Sequence, residues 1–420
     1  MIANRKLSFA AVEQLKADFG TPLYVYDEAQ LRHAAQKTLA FPNAFGLTVR
    51  FAMKACPNAA ILKVFDAMGL HFDASSGYEV RRLVKAGISP EKISLSTQEL
   101  PEDFGELLGW GIQLNACSLS QLERFGQAFP GRRVGLRLNP GLGSGGTQRT
   151  NVGGPGSSFG IWYESMEGID ALIEKYDLVI ERIHSHIGSG SDPEVWQRAS
   201  GLTLELVKRF PTVETVNLGG GFKVGRVPSE QTTDLQVVGE PMKAQFTAFA
   251  AETGRKLALE IEPGTYLTAL AGTLVSSIQD VVSTTGVEGN IFYKLDSGMT
   301  EILRPSMYGA QHPFMVLGAS ETSSLQRVLV VGHCCESGDI LTPAPGQPEV
   351  LAPIELPVAA IGDFCLIGGA GAYCAGMPAK NYNSFPESPE VLWREDGRFC
   401  LIRKRQSLDQ ILENEVSISV

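Results

Sequence analysis

Short apolar runs recur along the first two-thirds of the chain with amphipathic stretches between them. Runs of β type fall at Thr48–Met53, His71–Ala74, Lys92–Ser96, Ile112–Ala116, Arg133–Leu138, Val179–His186, Thr212–Leu218 and Lys256–Ile261. The intervening segments Asn58–Gly69, Gly77–Gly87, Leu119–Ala128 and Pro193–Phe210 have helical character, and several stop at glycine, as helix C-termini do. Eight strands alternating with helices predict an α/β fold, a parallel (β/α)8 barrel. After about residue 265 the pattern changes: Gly272–Ile278, Leu325–Val331 and Pro357–Ile367 lack helical spacing and are separated by Gly, Pro, Ser and Asp. This predicts an all-β second domain. The early run Pro22–Tyr26 (PLYVY) predicts one more strand ahead of the barrel, so that domain draws on both chain ends. The expected division is a barrel over residues 30–268 and a β-sandwich or barrel-like domain from 1–29 plus 269–420. Ser407–Val420 is polar and reads as either a terminal helix or a loose tail.

A length of 420 residues exceeds one ordinary domain, which agrees with that division. With 44% hydrophobic and 20% charged residues the chain is globular rather than fibrous or disordered. Its formal net charge of -10 argues against non-specific binding to nucleic acid or an anionic membrane. No apolar stretch reaches membrane-spanning length, so neither nucleic acid nor membrane is expected as a partner, and a cytoplasmic location is. The seven cysteines (56, 117, 334, 335, 365, 374 and 400) form no CxxC pair and read as reduced thiols; no metal site is expected.

In a parallel barrel, functional groups gather at the C-terminal ends of the strands. Lys54, in RFAMKAC, ends the first run. It reads either as a solvated strand end or as a partly desolvated amine suited to a Schiff base. The cluster HSHIGSGS (His184 to Ser191) ends the sixth run. Its histidines, two apart on a strand, face one side. No acidic third ligand follows, so one ring stacking on a flat cofactor with Ser189 donating to a phosphate is preferred to a metal site. Two half-buried polar side chains fit the segment about as well. The triple glycine Gly219, Gly220, Gly221 after the seventh run suits a phosphate approaching backbone N–H groups, or a plain tight turn. Glu262, in LEIEPG, ends the eighth run, where an acidic group could pair with a protonated ring nitrogen or with a nearby cation. By contrast GLGSGG (Gly141 to Gly146) follows Asn139-Pro140 with no helix pattern after it, which discounts a dinucleotide loop. In the β region, LRPSMYG offers Arg304 and Tyr308 as carboxylate donors, HCCESGD offers Cys335 and Glu336, and GAGAYCAG presents Tyr373.

From PLYVYD through FAMKA, HSHIGSG, GGGF, IEPG, RPSMYG, CESGD, GAY and NYN, the order and spacing of motifs resemble those of the fold-type III pyridoxal-phosphate (PLP) decarboxylases almost end to end. The resemblance implies a PLP-binding barrel joined to a β domain, a small amino-acid substrate and a homodimer whose active site is shared across the interface. It implies that Lys54 carries the cofactor as a Schiff base and that His186 stacks on its ring. Ser189, Gly219 to Gly221 and Gly264 would hold the phosphate side, and Glu262 the pyridine nitrogen. Cys335, from the second subunit, would be the proton donor, Glu336 would recognise the distal ammonium, and Tyr373 would touch cofactor and substrate. Arg304 and Tyr308 would grip a distal carboxylate. Glu336 in CESGD and the RPxxYG stretch favour meso-diaminopimelate over ornithine or arginine, with L-lysine and CO2 as products. Two departures stand out: Thr265 follows Gly264 where the family usually has arginine, and SSFG (Ser157 to Gly160) replaces SKFG. Another cation, Arg149 for one, would have to replace the missing guanidinium.

Overall fold

A computed structural model of the chain describes residues 7–142, 153–186, 188, 190, 192–284, 286, 289–318 and 324–418. The chain forms two compact units. A sheet unit comprises Met1–Leu31, Gly225–Glu230 and Thr268–Val420, and a barrel unit comprises Arg32–Val224 and Gln231–Leu267.

In chain order the strands begin with β1 (Leu23–Asp27) of the sheet unit. The barrel unit follows with β2 (Leu47–Ala52), β3 (His71–Ala74), β4 (Ile93–Ser96), β5 (Gln113–Ala116), β6 (Arg133–Asn139), the short β7 (Ile161–Trp162), β8 (Val179–Ser185), β9 (Thr215–Asn217) and β10 (Ala258–Ile261). All eight strands expected from the apolar runs are present. They pair in parallel in the order β2, β3, β4, β5, β6, β8, β9, β10, and β10 returns to β2, closing the ring. Helix starts are fixed by side chains. Asn58, Ser76 and Ser118 each accept a hydrogen bond from a backbone N–H in the following turn, and Asp192 caps a helix that opens on Pro193. Gly69 and Gly87 then take positive φ just beyond the helix ends, where a side chain would be strained.

The later strands are β11 (Gly272–Ser283), β12 (Ile291–Leu295), β13 (Phe314–Leu317), β14 (Leu325–Val331), β15 (Pro343–Ala344), β16 (Gln347–Leu351), β17 (Ile354–Pro357), β18 (Phe364–Ile367), β19 (Glu390–Trp393) and β20 (Phe399–Arg403). β1 pairs antiparallel with β11 and parallel with β19, so the N-terminal strand is stitched into a sheet of C-terminal strands. Val12 and Leu15 of the helix Phe9–Phe19 pack with Leu23, Val25, Val275, Leu366 and Val391 in this unit's core. The apolar run Pro357–Ile367 is not one strand: β17 ends at Pro357, and the chain turns through the exposed Ile361 and through Gly362, at φ +98, before β18 begins. The terminal segment is a short helix, Leu408–Leu412, held by a capping box between Ser407 and Gln410. Among the described residues no helix is long and apolar enough to cross a membrane.

Candidate active site

The alternation of strand and helix puts four of the expected groups just past strand ends at one mouth of the barrel. Lys54 lies in a short 3-10 turn after β2, exposed, with Nζ donating to Ser75 Oγ at 3.4 Å. A cleft of about 940 Å³ opens there, lined among others by Lys54, Ser76, Thr97, Cys117, Arg137 and Phe159. His186 follows β8, and its Nδ1 accepts the Gly188 N–H at 2.9 Å, which leaves the proton on Nε2 when the ring is neutral. Burial, Arg137 and Lys54 push its pKa well down, so the ring is neutral.

The glycine turn after β9 fits between these groups because it has no side chains. A β-carbon on Gly219, at φ +70, would come within 2.8 Å of the His186 ring, and one on Gly220 would collide with the Glu262 carbonyl. The Gly219 N–H is held by Asn217 Oδ1 at 2.8 Å.

Glu262 follows β10 and is buried. Its Oε2 contacts His184 Nε2 at 3.1 Å, and its Oε1 accepts from Asn217 Nδ2 at 2.7 Å. Burial opposes its charge, but the His184 ring in contact with it and the nearby Arg137 guanidinium hold its carboxyl well below the usual carboxylate range. Asp73 on β3 is the opposite case: burial first and the Glu262 charge second raise its pKa well above normal. Two neighbouring carboxyls are thus driven apart, one ionised and one protonated.

Gly264 is buried, and Thr265 beside it is half-buried at the start of the short helix Thr265–Thr268. Ser189 and Arg149 lie outside the described residues.

Below the mouth, the barrel interior carries a polar network. Arg50 donates to both oxygens of Glu260, at 2.7 and 3.0 Å, and to Gln113 at 2.6 Å. Arg182 also bonds Gln113 at 2.6 Å and lies 3.2 Å from Glu260. Asn217 donates to Glu260 at 3.2 Å as well as to Glu262, linking this layer to the mouth.

The remaining expected groups lie in the sheet unit. Arg304 and Tyr308 bound the short helix Arg304–Tyr308, and both are half-buried. Cys335 and Glu336 are exposed on the turn after β14. There Asn383 Oδ1 accepts the Cys335 N–H at 2.8 Å, and the Tyr382 hydroxyl donates to Glu336 at 3.5 Å. Tyr373 is half-buried at φ +57, a conformation rare for a side chain of its size. His184, Asn217, Arg137 and Asp73 were not singled out as site residues in the sequence. The i, i+2 histidine pair was a partial signal, but the pair divides its work: His184 turns to Glu262, and His186 faces the glycines.

The chain belongs to the pyridoxal-dependent decarboxylases, its residues 30–269 matching the pyridoxal-binding domain of that family. Over nearly its whole length it is similar to diaminopimelate decarboxylases. The one from Escherichia coli (strain K12) is 34% identical over 417 residues, 96% of each chain, and the one from Streptomyces coelicolor is 34% identical over 95% of this chain and 90% of its own. A crystal structure of a diaminopimelate decarboxylase superposes with a TM-score of 0.90 at 33% identity, covering 98% of each chain. The Helicobacter pylori enzyme complexed with L-lysine gives 0.84 at 27% identity, over 96% of this chain and 98% of that one.

Pyridoxal phosphate is the cofactor of this family, and the barrel mouth fits it. An amine, a neutral flat ring, a turn with no side chains and an ionised carboxylate meet within one strand-end cluster.

Proposed function

We propose that the protein decarboxylates meso-diaminopimelate to L-lysine and CO2. The observation that carries this reading is the end-to-end similarity to diaminopimelate decarboxylases in a chain that gathers Lys54, His186, Gly219 to Gly221 and Glu262 at one barrel mouth. When bound, pyridoxal phosphate supplies a conjugated electron sink for the pair left on carbon as CO2 departs. Lys54 provides the amine that anchors it. Glu262, held ionised by His184 and Asn217, would supply the negative charge that pairs with the cofactor's ring nitrogen. His186 would offer a neutral ring face, and the glycine turn, together with Gly264 and Ser189, would hold the phosphate.

In the sheet unit, Arg304 and Tyr308 take a substrate carboxylate, Glu336 the distal ammonium, and Tyr373 contacts both substrate and cofactor. The Cys335 thiol returns the proton to carbon, reaching the site from the second subunit of a homodimer. Seven free cysteines agree with a reducing, cytoplasmic setting.

A CO2-release assay with meso-diaminopimelate, ornithine, arginine and carboxynorspermidine side by side tests the assignment. The first is expected to react fastest. If it is inert while another reacts, the substrate is wrong and the cofactor chemistry stands.

A further inference from the structure

Thr265 leaves the position after Gly264 without a guanidinium, yet a substrate with two carboxylates still calls for a second cation beside Arg304. The sheet unit holds one that no motif pointed to. Residues Gly225–Glu230 interrupt the barrel sequence and pack within the sheet unit. There Arg226 Nε donates to the Gly369 carbonyl at 3.0 Å. Its aliphatic stem lies so close to Gly369 that a β-carbon there would sit 2.9 Å from Arg226 Cγ. The Arg226 Nη2 atom is sealed from solvent and has no hydrogen-bond partner.

Its neighbours are in the same condition. Arg304 Nε is buried without a partner. His312, 5% exposed, donates from Nδ1 to the Gly368 carbonyl at 2.9 Å, and its Nε2 is left unpartnered. Burial lowers Arg226 to about 10, with repulsion from Arg304 as the next cause. His312 is held neutral by burial and by both guanidiniums, so the three groups are mutual neighbours. The carboxylate closest in sequence, Glu230, accepts the Arg226 backbone N–H at 2.9 Å. Among the described residues neither guanidinium is in an ion pair. Two like charges with unfilled, desolvated donors are costly to hold together, and a carboxylate between them would satisfy both in the fork geometry that guanidinium favours.

We propose that Arg226 is the second guanidinium of the substrate-carboxylate subsite, acting with Arg304 on the carboxylate that remains in the product. Arg226 thereby fills the role that Thr265 vacates, while the cofactor phosphate is left to the glycine turn of the barrel unit. The assignment rests on the reading of a dicarboxylate substrate whose product keeps one carboxylate.

The holoenzyme and its Arg226→Gln and Arg226→Lys variants can be titrated with L-lysine and with cadaverine, which lacks any carboxylate, following cofactor absorbance. Losing a charged, buried hydrogen-bond pair corresponds to roughly 10- to 100-fold in affinity. R226Q is therefore expected to weaken L-lysine binding, and to raise KM for meso-diaminopimelate, by about that factor, with cadaverine binding unchanged and R226K recovering part of the loss. Equal weakening of both ligands would overturn the proposal, because Arg226 would then only shape the fold. Loss of pyridoxal phosphate affinity with L-lysine binding intact would overturn it too, assigning the residue to the phosphate. An enzyme inert toward meso-diaminopimelate that still selects L-lysine over cadaverine through Arg226 would sink the substrate reading and support the subsite.

Discussion

At the scale of single residues, what a side chain does depends on who reaches it. Among the described residues Cys335 is the one exposed cysteine, its backbone fixed by Asn383, whereas Cys117, Cys334, Cys365 and Cys374 are buried and their thiols pushed up in pKa by burial. A positioned proton donor contributes about 10²- to 10⁴-fold. C335A is accordingly expected to keep the cofactor spectrum and lose kcat within that range, and an unchanged kcat would remove Cys335 from the reaction.

Glu301 makes a different prediction. Burial raises its pKa from an ordinary 4.5 to about 7, even though Gly298, Thr300 and Ser388 donate to it. A carboxyl whose folded pKa is raised contributes stability in full below its unfolded value, and that contribution is lost as pH rises through the folded value. Between about pH 4.5 and 7 the wild type should lose stability relative to E301Q, by about 3 kcal/mol at most for a shift of this size. Urea unfolding of both proteins across that window measures it, and a constant difference would contradict it. Lys54, Glu262 and the triple glycine were legible in the sequence because each sits in a short motif at a strand end. His184 and Asn217 were not, because a polar residue inside a strand acquires a role only once barrel closure sets its neighbour.

At the scale of elements, the strands were readable to within a few residues because each is a short apolar run bounded by a capped helix. What lies between the strands inside the barrel was not readable. Arg50 and Glu260 are far apart in sequence, and their pairing exists only because β10 returns to lie beside β2. Glu260 answers two guanidiniums at once. Burial would raise its pKa, but Arg50 and Arg182 lower it on balance. Removing one partner of a buried ion pair leaves an uncompensated charge and costs roughly 3–5 kcal/mol. E260A, which strands both arginines, should lose at least that much in chemical denaturation. A loss below about 1 kcal/mol would mean that water reaches the pair as it does at a surface site. The run Pro357–Ile367 is divided by a turn that leaves no mark in its composition. Composition alone could not reveal that Val358 to Asp363 form an exposed turn, since apolar residues there stay on the surface. The Gly225–Glu230 excursion was equally hidden, because its membership in the sheet unit is set by tertiary contacts rather than by any local period.

At the scale of the whole molecule, the reading depends on two sets of side chains in separate units. Lys54 belongs to the barrel unit and Cys335 to the sheet unit. If each active site takes its lysine from one subunit and its thiol from the other, two inactive variants can repair one another. K54A and C335A homodimers each lack one essential group at both sites. After subunits reassort at random, half of the dimers are mixed, and in each of these one site pairs an intact Lys54 with an intact Cys335. About one quarter of all sites should then be restored. The expected result is that mixing the two variants, after a brief exposure to mild denaturant to speed exchange, returns CO2 release toward about a quarter of the wild-type rate. The recovered activity should fall on dilution below the dimer dissociation constant, because mass action governs the shared site. If both groups come from one chain, a mixed dimer holds one lysine-deficient and one thiol-deficient site, and no activity returns at any ratio.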